Sequence, residues 1–110
     1  MVTDHAWTIT DDLLEAAGTT YSRVGVSGPG TALQRLIDAL ESGETPAGYQ
    51  RHRFRMYDDD AQLYYVGQML MPTHSAGAEE HCVAPLDDFG TPDAGCTLIE
   101  WDGKPAWSAE

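Results

Sequence analysis

Four side chains offer the chemistry of soft metal ligands or of a nucleophile and its base: His74, His81, Cys82 and Cys96. Their spacing matches no zinc pattern, since structural zinc sites repeat short Cys-x-x-Cys or His-x3–5-His units. Cys82 beside His81 suggests a thiolate and its base. Neighbours along a strand point to opposite faces, however, so on a strand that pair would not meet. No Gly-x-Ser-x-Gly and no His-Glu-x-x-His is present, so the expected reading has no catalytic residue, no resident metal and no cofactor. Met1 to Trp7 has no basic segment leading into an apolar one, which predicts a cytoplasmic protein with both thiols reduced.

The carboxylates are the second candidate set. Asp58, Asp59 and Asp60, with Asp87, Asp88 and Asp93, supply the oxygens of a Ca²⁺ or Mg²⁺ cage. A calcium loop alternates its ligands around a glycine and closes on glutamate. This segment does none of these, and aspartate is at home in solvated turns. Across the chain 18 acids face 6 bases, a formal charge of −12, and from Asp58 to Glu110 eleven acids face the single Lys104. Such a surface repels nucleic acid and anionic lipid and attracts basic surfaces over about 8 Å at physiological salt. Arg51, Arg53 and Arg55 alternate on one strand face, where weak pairs with nearby carboxylates are the expectation.

These charges predict a non-enzymatic interaction protein whose partner is a basic protein surface, such as that of a nucleic-acid-binding protein. Direct nucleic-acid or membrane contact is not expected. The contact surface is expected to centre on Asp58, Asp59 and Asp60, to extend to Asp87 and Asp88, and to use Tyr64 or Trp107, whichever is exposed beside the acidic turns, as an aromatic anchor. Two alternatives stand beside it. One is an acidic housekeeping or structural domain, homodimeric through an edge strand; the other is a small metal-dependent domain.

The elements that must hold these groups follow from periodicity. A chain of 110 residues with 42% hydrophobic content makes one domain with one core. No apolar run nears the ~18 residues of a membrane span. Trp7 and Ile9 predict a short strand, followed by a brief helix from Thr10 through Ala17. Leu33, Leu36, Ile37 and Leu40 fall at i, i+3, i+4, i+7, predicting a helix capped by Thr31 and stopped by Gly43. Gln50 to Tyr57 and Gln62 to Met71 predict a hairpin across the acidic turn, with His52, Phe54 and Met56 opposite the arginines. Pro72 to Glu80 reads as a polar loop and Pro85 to Pro92 as irregular or a single helical turn. Cys96 to Trp101 and Lys104 to Trp107 predict a closing hairpin turning at Asp102 and Gly103. The expected fold is a small α+β domain: a mostly antiparallel sheet of four to six strands with one main helix packed on one face.

Tyr57-Asp-Asp-Asp-Ala-Gln-Leu-Tyr-Tyr65 and Pro85-Leu-Asp-Asp-Phe-Gly-Thr-Pro-Asp-Ala-Gly-Cys-Thr97 resemble segments of short acidic hypothetical proteins of actinobacteria and their phages. Trp7 to Thr10 and Gly25 to Gly30 are similar to that group as well. Glycine and glutamate usually follow the acidic triplet there, whereas Ala61 and Gln62 stand here, and the His74 to His81 stretch looks like an insertion. The resemblance carries no catalytic residue. It implies a small accessory protein of actinobacterial or phage origin. The acidity and the lack of catalytic signatures lead to the expectation that such a protein inhibits a host defence protein by occupying the groove meant for phosphates, as a DNA mimic.

Overall fold

Alternation and turn chemistry build the centre of the molecule. The computed structural model describes residues 4–13 and 23–109. The strands are β1 (Ala6–Asp12), β2 (Ser27–Gly28), β3 (Tyr49–Tyr57), β4 (Leu63–Pro72) and β5 (Leu98–Trp101). They form one antiparallel sheet in the spatial order β2-β1-β4-β3-β5. Helix α1 (Gln34–Ser42) covers one face. A helical run covers the other, made of α2 (Glu79–Pro85), a π-helical segment (Leu86–Gly90) and α3 (Thr91–Ala94). The α+β class and the antiparallel sheet are as the sequence leads one to expect. Among the described residues no helix is long and apolar enough to cross a membrane.

The β3–β4 hairpin is the spine, because its strands pair over nearly their whole length from Tyr49↔Pro72 to Tyr57↔Leu63. Period two sorts its side chains as expected. Phe54 and Met56 point into the core beneath the helical run, and Arg51 points to the α1 face. Phe54 sits opposite Gly67 on one side and Trp101 on the other. Gly67 must be small, since a methyl group there would collide with the Phe54 ring and the Thr8 carbonyl. Trp7, Ile9, Tyr65, Met69, Met71, Ile99 and Trp101 complete that core. Each large side chain so buried contributes roughly 1.5–3 kcal/mol.

The predicted stripe of α1 holds: Leu36 and Leu40 are buried against Ala6 and Leu70, with Leu33 and Ile37 packed beside them. Gly43, at φ 81°, closes the helix as expected. The expected Thr31 cap does not form, because the helix starts at Gln34 behind an extended Leu33 with no side-chain cap.

Three further expectations need correction. Thr10, Asp11 and Asp12 belong to β1, so the predicted helix starts later than expected, at Leu13, and the rest of it lies outside the described residues. Thr10 is instead the bulge residue of β1, its hydroxyl donating to the Val66 carbonyl at 3.2 Å.

Pro85 to Pro92 is helical. Pro85 has no N–H to give the His81 carbonyl, and the following turn widens until Thr91 N–H reaches the Leu86 carbonyl. Burial drives this: Leu86, Phe89 and Gly90 face the sheet, and a methyl group on Gly90 would lie 2.6 Å from the Met56 sulfur. The helical run is therefore longer than α1, and the sheet is covered on both faces. The return of the closing hairpin is a 3₁₀ turn, Pro105–Trp107, and only Ala109 pairs with Ile99.

Candidate functional site

The hairpin tip is built by Asp58. Its Oδ1 accepts the N–H groups of Asp60 (2.9 Å) and Gln62 (2.8 Å), and its own N–H bonds the Gln62 carbonyl. This wraps the backbone so tightly that Ala61 adopts φ 61°, a left-handed conformation rare outside glycine. Those bonds, that of Gln62 first, hold the Asp58 carboxyl below its usual range; the Tyr64 hydroxyl adds another. Tyr64 is half-buried beside the core, its hydroxyl on Asp58 and its own pKa raised by that bond. Asp59 and Asp60 are exposed. The acidic turn is thus rigid at Asp58 and open at the next two positions.

Asp93 lies closer to this tip than the sequence suggests. Its Oδ2 accepts from the Tyr65 hydroxyl (2.9 Å) and from Arg23 Nε (3.0 Å). Burial first, then Asp58 and Asp93 together, push the Cys96 thiol up to about 12. Cys82 is likewise raised by burial, and both thiols are free and buried. Neither has the thiolate character of a nucleophile at neutral pH.

Asp87 and Asp88 sit elsewhere, on the π-helical segment. Asp88 Oδ2 accepts from Trp7 Nε1 at 3.0 Å, beside His5, and no contact joins it to the hairpin tip among the described residues. The sequence-predicted acidic residues therefore form two regions, not one.

The basic residues are all occupied away from Asp58, Asp59 and Asp60. Arg23 pairs with Asp93. Arg53 and Arg55 both pair with Asp102, and Arg55 also donates to the Tyr57 hydroxyl. Arg51 donates to the carbonyls of Ala39 and Glu44 and to Gln68. Arg35 stacks over Tyr49 and Lys104 over Trp107. The arginine row is thus spent on the fold and on Asp102. Its conformation offers no clamp for a phosphate.

The second region holds a pair that spacing conceals. His81 is 2% exposed on α2, with Nε2 3.0 Å from Ser75 Oγ and Nδ1 3.1 Å from Nδ1 of His5. The rings meet edge to face. Burial, and then His81, hold the His5 imidazole below its ordinary value against the pull of Asp88, Asp4 and Glu80. His81 and Cys82 are helical neighbours, not strand neighbours, and still do not meet as base and thiol, because both ring nitrogens of His81 have other partners. His74 is exposed and takes no part. Seventy-six positions separate His5 from His81, so no motif could announce them. The only signal in the sequence is Asp4 next to His5 at the start of an expected strand.

No protein-family model, no curated protein and no solved structure matches the chain.

Proposed function

We propose that this protein is a non-enzymatic acidic interaction protein that engages a basic protein surface through the hairpin tip at Asp58, Asp59 and Asp60. The observation that carries the proposal is the commitment of every basic side chain elsewhere. Asp93 and Asp102 take the arginine pairs, and among the described residues the three acids of the tip take none. Among the described residues no carboxylate is buried, so the negative charge faces solvent. Acids that a protein needs only for solubility can be scattered. Here three stand on a turn whose backbone is fixed by one of them, and a rigid tip loses little entropy on docking. Tyr64 supports the tip from within through Asp58 and remains half-exposed at its edge.

The partner chemistry is that of a groove lined by Lys and Arg. Within that class the resemblance to phage-type acidic proteins favours a nucleic-acid-binding host protein whose phosphate groove is blocked. The edges of the sheet offer a second copy little ladder, since β2 has two residues and β5 four. The test is association with a panel of basic nucleic-acid-binding proteins across salt. Fast association that weakens steeply with salt supports the proposal. Binding that is insensitive to salt, or absent throughout the panel, overturns it.

A further inference from the structure

Two imidazole nitrogens 3.1 Å apart need something between their lone pairs, either a shared hydrogen or a metal ion. A tetrahedral zinc with Zn–N bonds of about 2.0–2.1 Å sets its nitrogens roughly 3.3 Å apart, close to the Nδ1–Nδ1 distance of His5 and His81. The carboxylate of Asp4 lies within 4.8 Å of both. Asp4 is exposed and its side chain can swing inward, whereas His81 is buried and set. From these positions we infer that Asp4, His5 and His81 form a binding site for a first-row divalent ion of the Zn²⁺ type, clasping the start of β1 to α2.

The surroundings fit the outer half of such a site. A metal-ligating imidazole normally gives its second N–H to an oxygen acceptor, which fixes the tautomer. Ser75 Oγ, 3.0 Å from His81 Nε2, is that acceptor and leaves the Nδ1 lone pair to the ion. Asp88 and Glu80 act on His5 electrostatically and supply a negative field around the cation. Two nitrogens and one carboxylate leave a fourth position for water, on the exposed side of Asp4. Nitrogen donors favour Zn²⁺ over Ca²⁺ and Mg²⁺, which prefer oxygens. This separates the site from the all-oxygen cluster at Asp58, Asp59 and Asp60.

The test uses the untagged full chain, stripped with chelator and titrated with ZnCl₂ against a chromophoric competitor in excess Mg²⁺. The expected result is one equivalent bound, with a rise in melting temperature. H5A, at the half-buried end of the pair, should abolish binding while the metal-free protein keeps its cooperative melt. S75A should weaken binding by about 10–100-fold, as loss of an outer partner does. H74A should change nothing. Binding that survives in H5A, that disappears in C82S, or that Mg²⁺ displaces would overturn the assignment.

Discussion

Arg53 on β3 reaches Asp102 in the turn after β5, Nη1 to Oδ2 at 3.3 Å, and Arg55 two residues on closes on the other oxygen. One carboxylate thereby holds two guanidiniums at the β5 edge. Among the described residues the hairpin tip has no counter-ion, although the arginine row runs straight toward it in sequence.

Asp102→Asn is expected to lower stability by no more than about 1 kcal/mol, since half-exposed ion pairs are worth little. It should also release two cations and slow association with a basic partner. Chemical denaturation and stopped-flow association measure the two effects separately. A loss of several kcal/mol would mean that Asp102 holds β5 in place rather than occupying arginines.

Leu36 is fully buried between α1 and the sheet. Leu36→Asp should unfold the domain, because an unpaired buried carboxylate costs several kcal/mol, comparable to the stability of a chain this size. Loss of the cooperative melt in circular dichroism is the expected outcome. An unchanged melt would turn the stripe outward, toward a partner.

Ala61 holds φ 61°, a left-handed backbone that glycine adopts without a Cβ clash. Ala61→Gly should raise stability by about 0.5–1 kcal/mol, as relief of a left-handed alanine outweighs the added chain entropy. Urea midpoints of the two proteins decide it. A less stable variant would show that the tip is not held in this conformation.

Acidification should destabilise the protein through His52. Burial, and then Lys104, hold its imidazole below the ordinary 6.5, where it packs edge-on to Trp107 and bonds Gln50 Oε1 at 2.9 Å. The unfolded chain takes up this proton near 6.5 and the folded chain only at lower pH. Between the two values the unfolded state binds more protons, so stability is full above the unfolded value and falls as pH drops through it. His52→Gln should flatten that slope in melts between about pH 7.5 and 5.5. An equal slope in both proteins would assign it to other groups.

The sheet was legible wherever a local pattern coincided with a tertiary one. Leu33 to Leu40 and Arg51 to Met71 carry periods of about 3.6 and 2 that long-range packing then uses. The helical run over Glu79 to Ala94 was hidden because Pro85 and Pro92 are local breakers. Only the burial of Leu86 and Phe89 against β3 and β4, along with the wide π turn after Pro85, makes them helical. The acidic turn could be read as a turn, but its separation from Asp87 and Asp88 depends on where the π-helical segment crosses the sheet. His5 and His81 meet because the residue leading into β1 lies against α2, and spacing along the chain does not encode that.

We propose that the hairpin tip works by its charge. Asp58→Asn, Asp59→Asn and Asp60→Asn together should preserve the fold, because an amide oxygen at position 58 can still accept both turn N–H groups. The measurement is the association rate of parent and triple variant with a panel of basic nucleic-acid-binding proteins, from low to high salt. The parent should associate fast with at least one member at low salt. The triple variant should associate roughly tenfold more slowly with that member, with a flatter salt dependence. A triple variant that binds as fast as the parent at every salt concentration, or a parent that binds none of the panel, would contradict the account.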